Sequence, residues 1–94
     1  MKALWNGTML ANSDNTIEVD GNEYFPPEGV RCDLLVASVS HTTCHWKGVA
    51  NYYHVLVDGK INRDAAWYYP DPPNPAFTQI KGWIAFGKDI RIAA

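Results

Sequence analysis

The sequence lacks long apolar runs and clustered charge, and each absence excludes a class of protein. No apolar stretch approaches the roughly 20 residues that cross a bilayer, so no membrane-spanning segment is predicted. The 8 Lys and Arg residues are scattered singly and nearly balanced by 10 Asp and Glu, whereas nucleic-acid binding requires clustered positive charge. We therefore expect neither a membrane protein nor a nucleic-acid-binding protein.

Targeting and catalytic signatures are also missing. Asn6 and Gly7 interrupt the N-terminal apolar residues, so no signal peptide is predicted. The two cysteines, Cys32 and Cys44, are then expected to be reduced thiols in a cytoplasmic protein. No serine lies in a Gly-x-Ser-x-Gly turn, and the 7 glycines form no phosphate-binding loop. We predict no cofactor and no Ser-His-Asp catalysis.

What is present points to one small β domain. The 94 residues are 47% hydrophobic and 13% aromatic, which suits a single compact domain over residues 1–94. Short β-branched and aromatic runs alternate with turn signals, and no long amphipathic helix is found. Residues 2–10 are predicted as the first strand, and residues 16–19 form a strand between two turn clusters.

Asp58-Gly59 gives the clearest hairpin signal. The implied register places Val57 opposite Lys60 and Tyr53 opposite Asp64. A one-residue slip would exchange the two faces of this hairpin. The face expected to meet the core carries Ala50, Tyr52, His54, Leu56, Ile61, Arg63, Ala65 and Trp67.

Prolines and glycines outline the remaining elements. Short helices are predicted at about 26–35 and 74–81, the second with Asn74 as N-cap and Gly82 as terminator. Between the hairpin and this helix, residues 69–73 are expected to be extended. The proline-rich stretch at 70–75 is expected to cover a sheet edge or to dock on a partner as polyproline II. A final strand pair is predicted at residues 83–86 and 90–92.

The segment from His41 to Gly48 holds the densest group of reactive side chains. Zinc could use His41, Cys44 and His45, with His54 as a fourth ligand, but an extended segment points neighbouring side chains apart, and we predict no metal site. Cys44 beside His45 and near Lys47 is a candidate nucleophile. The simpler interpretation is a small buried core cysteine.

Lys47 suggests a ligand pocket. It lies in a sequence rich in Trp and Tyr, which would desolvate its ammonium group. A lysine in that setting pairs with a carboxylate or binds an anionic ligand, and Asp64 and Glu28 are the candidate partners. The competing interpretation is a surface lysine whose stem covers an aromatic ring.

Five motifs resemble the domain-of-unknown-function family numbered 427. They are Tyr24-Phe25-Pro26-Pro27-Glu28, Thr42-Thr43-Cys44-His45-Trp46-Lys47-Gly48, Ala50-Asn51-Tyr52-Tyr53, Asp64-Ala65-Ala66-Trp67-Tyr68-Tyr69-Pro70-Asp71-Pro72 and Ile80-Lys81-Gly82-Trp83-Ile84-Ala85-Phe86. The resemblance implies a mainly β domain whose antiparallel sheets form a β-tent-like or sandwich-like arrangement. The chain departs from the family at His45, where proline is usual. The family's nucleotidyltransferase label implies a Gly-Ser turn followed by paired aspartates, and the sequence has no such arrangement.

Two functions from different classes follow. The first is a small-ligand-binding domain, with weak enzymatic activity if Cys44 acts as nucleophile or Glu28 as general base. The second is an interaction module that binds a protein partner, or itself as a homodimer, through its aromatic and proline-rich surface. For the first, the predicted pocket residues are Glu28, Cys44, Trp46, Lys47, Tyr52, Asp64, Trp67 and Tyr69.

Overall fold

The computed structural model, which describes all 94 residues, contains nine strands and three short 3₁₀ segments. The strands are β1 (Lys2–Trp5), β2 (Thr8–Asn12), β3 (Ile17–Val19), β4 (Asn22–Tyr24), β5 (Leu35–Cys44), β6 (Gly48–Val57), β7 (Lys60–Tyr68), β8 (Ile84–Phe86) and β9 (Arg91–Ala93). They form three antiparallel sheets, ordered β2-β1-β9, β3-β4 and β5-β6-β7-β8. The prediction of a mainly β domain with antiparallel sheets is confirmed.

Two-residue turns close three of the hairpins. Both residues of each turn have positive φ, and the turns are Asn6-Gly7, Asp20-Gly21 and Asp58-Gly59. In the last turn, φ is 50° at Asp58 and 76° at Gly59. Turns of this kind match the twist of the paired strands. The predicted Asp58-Gly59 hairpin is therefore confirmed. The prediction of one strand over residues 2–10 is wrong, because Asn6-Gly7 divides that segment into β1 and β2.

The β6–β7 register holds only near its turn. Val57 pairs with Lys60 as predicted, but Tyr53 pairs with Ala66 rather than Asp64. A bulge places residues 63–65 opposite His54. Asp64 has φ of 53° there, and its backbone N–H donates to His54 Nδ1 over 3.0 Å. The side chain of His54 thus satisfies the donor that the bulge removes from the ladder.

The four-stranded sheet carries an apolar core on each face, since Ile84 and Phe86 of β8 belong to one core and Ala85 between them belongs to the other. The main core contains Ala3, Leu10, Ala11, Phe25, Val55, Val57, Ala65, Ala66, Ile84, Phe86 and Ile90. The second core, which we name the aromatic cluster, contains Tyr24, Ala50, Tyr69, Ile80 and Ala85, with Ile17, Val19, Cys44, Tyr52, Trp67, Phe77 and Trp83 packed against them.

This arrangement corrects the predicted core face of the hairpin. Ala50 and Ala65 are buried as expected, but Leu56 and Ile61 remain 41% and 43% exposed. Val55 on the opposite face fills the main core near the Asp58-Gly59 turn. The predicted alternation fails because the bulge changes the register and because the aromatic cluster covers only part of the face that carries Leu56 and Ile61.

The helical predictions are met by 3₁₀ segments. The expected helix at 26–35 is two segments, Pro27–Gly29 and Cys32–Leu34, because Val30 is extended and bridges to Ala11. The segment predicted at 74–81 forms over Pro75–Ile80, with Asn74 Oδ1 accepting from Ala76 N over 3.0 Å. No helical segment is long and apolar enough to cross a membrane.

The two C-terminal strands do not pair with each other. β8 pairs with β7, whereas β9 crosses to the other sheet and pairs with β1. Lys88 and Asp89 have positive φ values of 44° and 69° between them, which redirects the chain. The predicted strands thus exist, but their predicted partnership is wrong.

Candidate functional site

A tight turn between β5 and β6 builds the centre of the candidate site. Cys44 pairs with Gly48, so residues 45–47 form the turn instead of continuing the expected extended strand. Gly48 has φ of 90°, and a Cβ there would lie 2.9 Å from Pro73 Cδ. Only glycine fits that close approach, and the proline-rich segment consequently packs on the turn.

Lys47 points from this turn into the aromatic cluster. The residue is 8% exposed, and its Nζ donates to Asp20 Oδ2, which lies on the β3–β4 turn. Nζ also lies 5.6 Å from the ring centroid of Phe77 and 5.9 Å from that of Tyr69. Burial opposes the charged form, but the hydrogen bond to Asp20, with the charges of Tyr24 and Asp20, outweighs it and raises the Lys47 pKa.

The Cys44 thiol lies at the same turn and is partly buried. Hydrogen bonds from the backbone amides of Lys47 and Trp46 lower its pKa and outweigh the opposing cost of burial, and the charge of the Lys47 ammonium lowers it further against that of Asp20. Stabilisation of a thiolate by amides and a nearby cation is the arrangement that makes a cysteine nucleophilic.

The tyrosine and tryptophan rings of the aromatic cluster also contact one another. The Tyr24 and Tyr69 ring centroids are 6.4 Å apart, and Trp67 Nε1 donates to the Tyr24 hydroxyl over 3.3 Å. Burial raises the pKa of Tyr69 to about 12, with the charges of Tyr24 and Cys44 acting in the same direction. Burial also raises the Tyr24 pKa, against the lowering effect of its hydrogen bond from Trp67 and of the Lys47 charge.

The structure brings together most, but not all, of the predicted pocket residues. Cys44, Lys47, Tyr52, Trp67 and Tyr69 belong to or contact the aromatic cluster. Trp46 follows at the turn, but it is 61% exposed, with its ring against that of His45. Glu28 is in the Pro27–Gly29 segment and takes part in none of the three ion pairs. No cavity of ligand size opens anywhere on the protein.

Asp64 belongs to a different cluster. Its two carboxylate oxygens accept hydrogen bonds from Ser38 Oγ and Ser40 Oγ over 2.5 and 2.9 Å. These two bonds, more than the nearby His54, hold the pKa of Asp64 below its ordinary value despite the opposing cost of desolvation. His54 Nδ1 already accepts from the Asp64 backbone, so the three residue types do not form a serine–histidine–aspartate relay.

Asp20 is the functional candidate that the sequence did not reveal. Asp20 lies 27 positions before Lys47 in the sequence. It forms the ion pair with Lys47 for which Asp64 and Glu28 were the predicted partners. Its only local signal is the Asp-Gly turn, which explains its backbone conformation but not its partner. Tyr24 and Phe77 were also absent from the predicted pocket, although Tyr24 begins one of the five motifs.

The three histidines are held at separate places. His41 Nδ1 lies 2.8 Å from Asn51 Oδ1, the His45 ring packs on Trp46, and His54 contacts Asp64. No three His, Cys, Asp or Glu side chains converge in a way that would hold a metal ion.

Comparison with known families places the chain among domains of uncharacterised activity. Residues 1–93 match the family described as "Domain of unknown function (DUF427)", labelled NTP_transf_9, and the chain belongs to that family. No curated protein matches the chain. Nucleotidyl transfer uses carboxylates that hold Mg²⁺ and the triphosphate. The acidic side chains of this chain do not converge in that way, so its residues do not fit such a centre.

Proposed function

We propose that this chain is a small-ligand-binding domain that takes an anionic ligand at Lys47 by displacement of the Asp20 carboxylate. The supporting observation is an asymmetric ion pair. The Lys47 side chain is 10% exposed, whereas the Asp20 side chain that neutralises it is 71% exposed. A buried ammonium requires an anionic partner, but nothing in its surroundings requires that this partner be Asp20.

The aromatic rings define what such a ligand would meet. Tyr69 and Phe77 keep water from the ammonium, and an ion pair in a poorly hydrated site is stronger than one in bulk water. Exposed Trp46 offers a flat apolar surface at the same turn. A small carboxylate or phosphate ester with an apolar body fits this chemistry. Because no cavity is present, the ligand approaches from the surface as Asp20 moves away.

Thermal-shift measurements with a panel of carboxylates and phosphate esters test this proposal. A ligand at about a hundred times its dissociation constant adds about 2.7 kcal/mol of stability. The wild type should show a hit, Asp20→Asn should bind the same compound more tightly because its competitor is gone, and Lys47→Met should not bind it. Asp33→Asn is the matched control, since it releases the exposed Arg31 and changes the net charge equally.

The proposal fails if no compound stabilises Asp20→Asn more than it stabilises Lys47→Met. A hit that Asp33→Asn strengthens as much as Asp20→Asn would also contradict it, because a general change of charge would then explain the binding.

The second candidate is the interaction module, and the exposed aromatic surface favours it. Trp46 is 61% exposed at the turn on which Pro73 packs, so an apolar and proline-rich surface faces outward there. A Trp46→Ala variant that keeps anion binding but loses a protein partner would support this candidate. Loss of anion binding in the same variant would support the ligand site.

A further inference from the structure

We infer that the β5 edge of the four-stranded sheet is a homodimer interface, at which β5 of a second copy pairs antiparallel. This inference goes beyond ligand binding and does not depend on Lys47. It rests on the hydrogen-bonding chemistry of the edge, on its lack of charge and on the exposed apolar side chains beside it.

The two edge strands of this sheet differ in whether their outward backbone groups are hydrogen-bonded. At β8 the outer side is closed, since Phe25 N donates to Ile84 O over 2.8 Å and Ile84 N donates to Phe25 O over 2.9 Å. β5 lies at the other edge with ten residues, and none of them takes part in a backbone hydrogen bond outside the ladders. The outward backbone groups of β5 are therefore a template for another strand.

β5 also lacks the charged residues and prolines that usually protect an edge strand. Its sequence, LVASVSHTTC, contains no Lys, Arg, Asp, Glu or Pro. Edge strands of monomeric proteins carry such residues because they prevent pairing. A neutral strand meets no like-charge repulsion from its own copy, which suits the self-complementary contact of a twofold dimer.

Exposed apolar side chains concentrate along the same edge. Val36 and Val39 in β5 are 45% and 93% exposed, and Val49, which pairs with Thr43, is 48% exposed. Trp46 follows directly after the strand. Half of the eight exposed large hydrophobic side chains therefore lie on or next to β5. A second copy would cover them as its strand adds to the sheet.

A bulge selects which half of β5 pairs. Residues 38–40 leave the ladder with β6, and Ser38 and Ser40 turn inward to Asp64. A bulge interrupts pairing on an edge, so the regular segment at 41–44 is the part that aligns with its copy, with Thr43 of one copy opposite Thr43 of the other. Thr43 is exposed in this segment, and its side chain makes no hydrogen bond, so it can be changed without disturbing the domain itself.

Sedimentation equilibrium from about 1 µM to about 1 mM tests the inference with a charge exchange. Wild type should shift from monomer to dimer with concentration, and Thr43→Lys and Thr43→Glu alone should each stay monomeric. An equal mixture of the two variants should recover the dimer, because opposite charges then meet across the paired strands. Ile61→Lys is the matched control on β7, and it should dimerise like wild type.

Three results would overturn the inference. They are a wild type that stays monomeric throughout, a dimer that Thr43→Lys leaves intact, and a mixture of charge variants that fails to recover it. Circular dichroism of each variant verifies that the fold is kept. The ligand site is tested by Asp20→Asn and Lys47→Met and the dimer by the Thr43 variants, so failure of the dimer and failure of the ligand site are distinguishable.

Discussion

Two aspartates with the same unusual backbone conformation tie remote segments together by different chemistry. Asp20 and Asp64 both have φ of 53°, the first in a hairpin turn and the second in a bulge. Asp20 holds a buried ammonium from 27 residues away, whereas Asp64 holds the hydroxyls of Ser38 and Ser40. Aspartate tolerates this conformation better than most residues, which allows both irregularities without glycine.

The two contacts differ in the kind of group that loses its hydrogen-bond partner when the carboxylate is removed. Without Asp20, a charge remains buried among aromatic rings, and a buried unpaired charge is costly. Without Asp64, two hydroxyls on a partly exposed strand can turn to water at little cost. We therefore infer that the Asp20 contact is replaceable only by another anion, whereas the Asp64 contact mainly shapes the strands.

Removal of Asp20 should have the largest effect on stability. Asp20→Asn should lower the free energy of unfolding by about 1–3 kcal/mol, because the Lys47 ammonium keeps its burial but loses its charged partner. Lys47→Met should stay within about 1 kcal/mol of wild type, since an apolar side chain of similar volume suits the aromatic surroundings. Urea unfolding measures both. An Asp20→Asn variant as stable as Lys47→Met would contradict the prediction that loss of the anion costs more stability than loss of the ammonium.

Alkaline pH should weaken the aromatic cluster through Tyr69. The pKa of Tyr69 is raised from 10.0 to about 12, so the stability that its neutral form provides is complete below about pH 10 and lost as pH rises through about 12. The raised pKa of Lys47 acts in the same direction. Tyr69→Phe should reduce the alkaline loss by about 2–3 kcal/mol, measured as unfolding free energy against pH.

Tyr68→Phe provides the control for this alkaline experiment. Tyr68 is half-buried and packs against the main core, outside the aromatic cluster. Burial, with the charge and hydrogen bond of Tyr68, raises the pKa of Tyr53, so Tyr68→Phe should reduce the alkaline loss, but by less than Tyr69→Phe. An equal change in both variants would mean that ionisation of tyrosines in general, and not burial in the aromatic cluster, sets the alkaline limit.

The sequence predicted those parts of the molecule that depend on local chemistry. Asp58-Gly59 specifies its turn by backbone conformation alone, and Asn74 with Pro75 marks the beginning of its 3₁₀ segment. The aromatic surroundings of Lys47 were likewise anticipated, because five of the eight predicted pocket residues gather there.

The remaining parts depend on contacts between distant residues. The prediction from periodicity assumed that β6 and β7 pair without interruption. Because of the bulge at Asp64, Tyr53 pairs with Ala66 instead of Asp64, and Asp64 is not the partner of Lys47. The Asp20 partner could not be predicted from spacing, because the choice among ten acidic residues is made by the packing of the β3–β4 hairpin on the sheet.

The reactivity of Cys44 should differ from that of Cys32 by a smaller, kinetic effect. Iodoacetamide near neutral pH should modify Cys44 several-fold faster in the native protein, although Cys32 is the more exposed thiol. Lys47→Met should keep most of this difference, because backbone amides are the main cause of the lowered Cys44 pKa. Mass spectrometry of peptides measures both rates. Equal rates for native and urea-unfolded Cys44 would end its candidacy as a nucleophile.

The smallest expected effect is on the acid side, at Asp64. Its pKa is lowered from 3.8, so its contribution to stability is present above that value and lost as pH falls below it. Asp64→Asn should flatten the decline of stability between about pH 5 and pH 2, and Ser38→Ala with Ser40→Ala should do the same, because both changes remove the same hydrogen bonds. Asp14→Asn, at an exposed residue, should leave the decline unchanged. If Asp64→Asn keeps the wild-type decline while the double serine variant loses it, the serines act on the strands without the carboxylate, and the proposed role of Asp64 as their anchor is wrong.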